Sequence, residues 1–176
     1  MIGKRLFAIL VTCLLATGLT GLCRAQDMPE VVNKPAKHKP QPGRKIYSES
    51  ADAKEEIIET LAKAAAAHKR VIIVFGANWC FDCHVLDKAF HKPDLAAIIA
   101  ANYEVVHIDV GEFDKNLDLM EKYDVPRKKG IPGLAVLDPD GKLVYSQKNG
   151  EFENARGLGE TDFREFLEKW KPAAKS

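Results

Sequence analysis

The feature that most restricts the fold of this chain is an apolar run followed closely by two cysteines. Residues Val71 to Phe75 read Val-Ile-Ile-Val-Phe, and the hexapeptide Trp-Cys-Phe-Asp-Cys-His follows at positions 79–84. A short, continuous run of β-branched and aromatic residues is typical of a strand that is buried on both faces. The sequence therefore predicts a central strand, a turn, and a helix that begins at Cys80.

The remaining elements follow from the same kinds of pattern. Apolar residues at helical spacing and further apolar runs predict the order α-β-α-β-α-β-β-α, with strands at 71–75, 103–110, 133–138 and 143–147. Ser50 and Thr161 are predicted to cap the first and last helices. The order indicates an α/β fold, a mixed central sheet with helices on both faces.

The first 25 residues are predicted to be a secretory signal peptide. Lys4 and Arg5 precede an apolar run from Leu6 to Leu15, and small residues stand at the two positions that signal peptidase reads before a cut after Ala25. Residues 26–46 contain four prolines and five Lys or Arg up to position 45, and this composition predicts a flexible linker. The folded domain is then predicted to span residues 47–176, in the periplasm or outside the cell.

Two alternatives to cleavage stay open. The apolar run continues to Leu22, so the segment is also compatible with an uncleaved anchor that tethers the protein to a membrane, although it is short for a span. A lipoprotein signal needs a small residue directly before the lipidated cysteine, whereas Thr12 precedes Cys13 and Leu22 precedes Cys23. Both cysteine sites therefore fit a lipid anchor poorly.

Cleavage changes the cysteine inventory and the charge. It leaves Cys80 and Cys83 as the only cysteines, and it leaves 23 basic against 25 acidic residues, a net charge of −2 with neutral histidines. That balance gives no case for a nucleic-acid partner. A Cys80–Cys83 bridge closes a very short loop, for which chain entropy predicts only about 2 kcal/mol of stabilisation. The spacing favours reversible exchange, and a purely structural disulfide is the alternative.

The hexapeptide is compatible with three kinds of site. Cys-x-x-Cys-His is the attachment sequence for c-type haem, with His84 as axial ligand. The two cysteines also provide half of a zinc site, for which the other candidate ligands are His68, His84, His91 and His107. The third possibility is a redox-active pair, because a helix N-terminus stabilises a thiolate.

In the thiol interpretation the thiolate fraction decides reactivity. Lowering a thiol pKa from about 8.5 to about 7 raises the thiolate fraction at pH 7 from about 3% to about half. A protonated His84 would favour the thiolate of Cys80, and an ionised Asp82 would oppose it. The alternative is that both side chains point into solvent.

Residues from about 47 to 171 resemble the thioredoxin family. The matching segments are VIIVFGANWCFDCH, then VVHIDV, then GIPG followed by LAVLD. In that family a buried strand leads into Trp-Cys-x-x-Cys at a helix start, and a cis Ile-Pro bond lies against the two cysteines. The resemblance implies a thioredoxin fold and an enzyme of thiol–disulfide exchange.

The residue roles come from the resemblance. It implies that Cys80 is the exposed nucleophile and Cys83 the resolving thiol. It also implies that Pro132 follows a cis bond and that the backbone of Ile131 pairs with an extended substrate peptide; an ordinary proline at a strand start is the alternative. The supporting residues within the hexapeptide are then Trp79, Phe81, Asp82 and His84.

One position departs from the family pattern. The family usually carries a buried acid six residues before the first cysteine, and Val74 stands there in this chain. Proton transfer at the resolving thiol would then use water, Asp82, His84 or another group.

Together these observations predict an exported thiol–disulfide oxidoreductase, more a reductase than an oxidase. Its expected partners are exported protein thiols and disulfides and a membrane electron donor, with no nucleic acid. It is expected to need no metal and no cofactor besides the redox-active disulfide, and to be a monomer. A non-catalytic thioredoxin-like binding module and a c-type haem protein are the alternatives.

Overall fold

The computed structural model describes residues 45–173. The predicted signal peptide and nearly all of the predicted linker lie outside the described residues. Within 45–173 the chain forms five α-helices and four strands: α1 (Ala53–Ala67), β1 (Arg70–Gly76), α2 (Phe81–Phe90), α3 (Pro93–Asn102), β2 (Tyr103–Asp109), α4 (Leu117–Lys122), β3 (Gly133–Leu137), β4 (Leu143–Ser146) and α5 (Glu160–Lys169). Short 3₁₀ turns lie at Arg127–Lys129 and Ala155–Gly157.

The strands form one mixed sheet in the order β2-β1-β3-β4. β1 pairs in parallel with β2 and antiparallel with β3, and β3 pairs antiparallel with β4. The sheet is therefore of the predicted kind, with β1 at its centre and the predicted hairpin at one edge. Because β2 is parallel to β1, the carboxyl ends of both strands lie at the same end of the sheet, where Gly76 is paired with Asp109.

Burial explains why β1 takes the central place. Every residue from Val71 to Gly76 is buried, and successive strand residues point to opposite faces of a sheet. Both faces are consequently covered: α1 packs on β1 and β2, and α3 packs on β2 and against α5. Each large apolar side chain buried in this way contributes about 1.5–3 kcal/mol relative to exposure.

The predicted helix caps were wrong at both ends of the domain. α1 is capped by Asp52, whose carboxylate accepts the backbone N–H groups of Lys54 at 2.9 Å and Glu55 at 3.2 Å, and Ser50 lies before the cap. α5 begins one residue before Thr161 and has Gly159 as its N-cap. Several good capping residues stand close together at both places, and the direction in which the chain enters the helix selects among them.

No helix within residues 45–173 combines the length and the apolar character that a membrane crossing requires.

Candidate active site

The two cysteines lie where the turn after β1 enters α2. They form a disulfide, and Cys80 is the N-cap residue of the helix. The Sγ atom of Cys80 accepts the backbone N–H of Cys83 at 3.1 Å. Cys80 is 5% exposed and Cys83 is 1% exposed. Both cysteines are therefore buried in the disulfide form, which corrects the expectation of an exposed Cys80, and Cys80 is the more accessible of the two. The N-terminal end of a helix, where backbone N–H groups point outward, stabilises negative charge on the sulfur of Cys80.

The loop before β3 lies against Cys80. The carbonyl oxygen of Ile131 is 3.6 Å from Sγ of Cys80, and the Ile131–Pro132 peptide bond is cis. The predicted contact between this loop and the cysteine pair is therefore present in the structure. Gly130, directly before Ile131, has a φ of +79°, which lies in the region that glycine adopts most readily.

A buried glutamine that sequence reasoning missed holds this loop in place. The side-chain amide of Gln147 donates to the carbonyl oxygen of Pro132 at 3.1 Å, and its oxygen accepts the backbone N–H of Leu134 at 3.2 Å. Gln147 is 1% exposed. A single side chain thus satisfies two buried backbone groups, where an unpaired one would cost about 1–3 kcal/mol. Its sequence position, at the end of the predicted fourth strand, gave no signal of that role.

Trp79 lies beside the disulfide and connects it to the loop after β2. Its indole N–H donates to the carbonyl oxygen of Gly111 at 2.9 Å, and its ring meets Phe113 edge to face at a centroid distance of 6.2 Å. The side chain of Trp79 is half-buried. This placement suits the supporting role expected for Trp79.

Asp82 was expected either to oppose the thiolate with its charge or to point into solvent. Both expectations are wrong, because its carboxylate is buried and paired with a cation. The side chain is buried and is held by Arg156 from the turn before α5. Its carboxylate accepts the backbone N–H of Arg156 at 2.9 Å and Nε at 3.1 Å, and the terminal guanidinium nitrogen completes a bidentate pair. The guanidinium carbon also lies 5.3 Å from the ring centre of the half-buried Phe81. The charge that was expected to oppose the thiolate is therefore neutralised.

Replacing Arg156 with glutamine is expected to lower the free energy of unfolding by about 1–3 kcal/mol, because it leaves the buried carboxylate of Asp82 without its partner. Urea unfolding of the oxidised protein measures the change. Adding Asp82→Asn to this variant should recover part of the loss. Arg164→Gln is the matched control, since the carboxylates with which Arg164 pairs in the described structure, Asp94 and Glu160, are exposed, and such pairs contribute at most about 1 kcal/mol. Equal losses in the two single variants would contradict a special role for Arg156.

His84 points back along the chain, toward the turn that precedes Cys80. Its Nε2 lies 2.8 Å from the carbonyl oxygen of Asn78. A carbonyl can only accept, so Nε2 carries the hydrogen and donates. The ring is half-buried, which corrects the expectation of a solvent-facing side chain. This hydrogen bond joins the first turn of α2 to the turn that precedes Cys80.

The zinc and haem alternatives concern the possible ligands around the two cysteines. Within residues 45–173 no three His, Cys, Asp or Glu side chains come together as a group that could hold a metal ion. In this conformation the Nε2 atom of His84 is committed to a backbone carbonyl. A haem ligand would have to give up that hydrogen bond.

Comparison with known proteins agrees with this geometry. The family model described as thioredoxin-like matches residues 52–139. A solved structure of a disulphide isomerase from Xylella fastidiosa Temecula1 is 43% identical, covers 72% of this chain and 96% of that chain, and superposes with a TM-score of 0.68.

Two curated relatives match over shorter stretches. The thiol:disulfide interchange protein DsbD 2 of Pseudomonas aeruginosa is 31% identical over 118 residues, which are 65% of this chain and 18% of that protein. The probable nucleoredoxin 3 of Oryza sativa subsp. japonica is 30% identical over 94 residues, 43% of this chain and 20% of that protein. The chain thus spans about a fifth of the length of the curated relatives it matches.

Sheet order, paired cysteines and these matches define the class: a thiol–disulfide oxidoreductase built on the thioredoxin fold. The chain belongs to the thioredoxin-like family. The predicted family, fold and class are confirmed.

Proposed function

We propose that the protein exchanges disulfides with other exported proteins and works mainly as a reductase, with Cys80 as the nucleophile. The observation that carries the proposal is the disulfide at the start of α2, whose more accessible sulfur faces the loop that contains Ile131. A helix N-terminus and one backbone N–H support a thiolate on Cys80.

The reaction is two successive exchanges. In the reduced protein the Cys80 thiolate attacks one sulfur of a substrate disulfide, and the other substrate sulfur leaves with the electron pair and takes up a proton. Cys83 then loses its proton and attacks Sγ of Cys80. The second substrate sulfur leaves and is protonated, so the substrate gains two thiols and the protein regains its disulfide.

The substrate would lie across the loop before β3. A cysteine joined to Cys80 must pass the carbonyl of Ile131, which is 3.6 Å from the sulfur. An extended peptide can therefore pair with the backbone of Ile131, and the half-buried side chains of Trp79 and Phe81, the chain neighbours of Cys80, would contact it. Gln147 and Pro132 keep the loop in position for this pairing.

Three contacts favour the reducing direction. Strong oxidants have a strongly stabilised thiolate in the reduced protein. Here the carbonyl oxygen of Ile131 faces Cys80 and disfavours negative charge on it. His84 is directed to Asn78, and Arg156, which contacts the motif at Asp82, is engaged in that ion pair. The stabilisation of the Cys80 thiolate would therefore be moderate.

Export, partners and cofactor use belong to the same proposal. The signal-like pattern of residues 1–25 supports export, with release or tethering depending on cleavage. An exported reductase needs a supply of electrons, so a membrane donor that re-reduces Cys80 and Cys83 is the expected second partner. We propose a monomer that uses the cysteine pair alone, without metal or haem.

The direction of exchange is tested by the reduction potential. Equilibration with glutathione or dithiothreitol buffers, followed by alkylation and mass measurement, should give a value nearer to about −270 mV than to the −120 mV or so of a strong oxidant. The protein should also accelerate the reduction of insulin by dithiothreitol.

Each contrary result points to a particular alternative. A potential near −120 mV would indicate an oxidase, and efficient reactivation of scrambled ribonuclease would indicate an isomerase. A Cys80 thiol that alkylates no faster than a free cysteine would indicate a binding module. A Soret band in the purified protein would overturn the thiol mechanism in favour of haem.

A further inference from the structure

Tyr47 carries a buried hydroxyl that no group in the structure satisfies. The residue is 1% exposed, and within residues 45–173 its hydroxyl oxygen is the only buried side-chain nitrogen or oxygen without a hydrogen-bond partner. An unsatisfied buried polar group costs about 1–3 kcal/mol. Phenylalanine would fill the same space without that cost, so the hydroxyl needs an explanation.

The hydroxyl lies next to the sulfur of Cys83. A Cβ atom placed on Gly76 would lie 2.9 Å from Sγ of Cys83 and closer still to the hydroxyl oxygen of Tyr47. The oxygen and the sulfur are therefore no more than about 5 Å apart, close enough for a hydrogen bond after a small movement or through one water. Because Gly76 has no side chain, none of its own atoms separates the oxygen from the sulfur.

Tyr47 is held in this place from two sides. The side-chain oxygen of Asn78 accepts the backbone N–H of Tyr47 at 3.0 Å, and the Asn78 amide donates to the carbonyl oxygen of Tyr47 at 2.9 Å. Its ring meets His107 edge to face at a centroid distance of 5.4 Å. Because Asn78 belongs to the turn that leads into Cys80, the tyrosine and the cysteine pair are fixed to one frame.

The surroundings keep the hydroxyl protonated. Burial raises the pKa of Tyr47 above its ordinary range, and the carboxylates of Asp87 on α2 and Asp109 at the end of β2 raise it further. Lys115 pairs with Asp109 at 3.2 Å, and His107 contacts the ring. The same negative surroundings would make a thiolate on the buried Cys83 costly unless a donor faces it.

We propose that the Tyr47 hydroxyl is the hydrogen-bond donor that stabilises the Cys83 thiolate during the resolving step, an inference that rests on the proposed function. The proton of Cys83 leaves to water or to the departing substrate thiolate, and Tyr47 keeps its own hydrogen and shares it with the sulfur. The thiolate electron pair then forms the bond to Cys80. In the disulfide state Cys83 carries no charge, which explains why the hydroxyl has no partner there.

Tyr47→Phe tests this inference. The reduced protein is mixed with oxidised glutathione, and acid-quenched samples are analysed by mass to follow the Cys80–glutathione adduct and its conversion to the internal disulfide. We expect the conversion to slow about tenfold, the value of one such hydrogen bond, and its pH profile to move to higher pH because the Cys83 thiolate loses its donor. Formation of the adduct should change by less than about twofold, since Cys80 keeps its surroundings.

Tyr103→Phe is the matched control, because Tyr103 is equally buried but its hydroxyl already donates to the carbonyl oxygen of Leu167 at 2.6 Å. It should destabilise the protein without changing the resolving rate, whereas Tyr47→Phe should leave stability unchanged or raised. Wild-type rates and pH profile in Tyr47→Phe would overturn the inference and leave the proposed function standing. Failure of the wild-type protein to form any adduct would instead overturn the proposed function.

Discussion

Cys83→Ser is expected to turn the protein into a trap that holds its partners in stable mixed disulfides. Cys80 keeps its place at the start of α2 and its contact with Ile131, so the first attack proceeds. The second attack cannot occur, because a serine hydroxyl does not displace a thiolate from a disulfide. Non-reducing electrophoresis and intact mass after incubation with a disulfide-containing peptide should show one adduct per protein molecule, which dithiothreitol removes.

Cys80→Ser is the variant to compare with Cys83→Ser. It should form almost no adduct and lower disulfide exchange by at least about a thousandfold, as expected when the nucleophile of a cooperating pair is lost. The two cysteines are both buried, and Cys80 is the more accessible, at 5% against 1% exposed. Adducts that form on Cys83 as readily as on Cys80 would reverse the assigned roles.

Gly76→Ala is expected to lower the free energy of unfolding by about 2–3 kcal/mol. The new methyl group would overlap the hydroxyl of Tyr47 and lie 2.9 Å from Sγ of Cys83, and overpacking of this kind costs about 1–3 kcal/mol. Neither neighbour can easily move, because one is a fully buried ring and the other belongs to the disulfide. Urea unfolding of the oxidised protein measures the loss.

Gly159→Ala is the control, because its φ of −89° is ordinary for any residue and a Cβ there would meet only the carboxylate of Asp162, at 3.6 Å. We expect a change within about 1 kcal/mol. Combining Gly76→Ala with Tyr47→Phe should recover part of the loss, since the nearest overlapping atom is then absent. A double variant no more stable than Gly76→Ala alone would contradict the placement of the hydroxyl beside Gly76.

The sequence predicted the features that depend on neighbours along the chain. The apolar run of β1 and the Cys-x-x-Cys spacing are local signals, so strand, turn and helix start could be recognised together. All four strands agree with the prediction to within one residue at each end. The greater exposure of Cys80 than of Cys83 also follows from local structure, because Cys80 caps the helix and Cys83 lies one turn inside it.

The partners that define the electrostatics of the site could not be predicted in this way. Asp82 meets Arg156 from 74 positions away, and Asn78 meets Tyr47 from 31 positions away. Gln147 reaches Pro132 across the β3–β4 hairpin. Each pairing joins residues that become neighbours only when the chain has folded, and neither periodicity nor spacing carries that information. For this reason the sequence could not show that the charge of Asp82 is paired.

The contacts of Asn78 have a consequence for where the working unit of this protein begins. Its side chain binds the backbone of Ile46 and Tyr47, which precede α1, while its own carbonyl receives His84. The end of the predicted linker is thus joined to the same residue that shapes the turn into Cys80. A shortened chain that starts at α1 would keep every strand and helix of the fold and still lose Ile46 and Tyr47, whose backbone binds the side chain of Asn78. The smallest competent piece is therefore delimited by hydrogen bonds to Asn78, and secondary structure alone places its start too late.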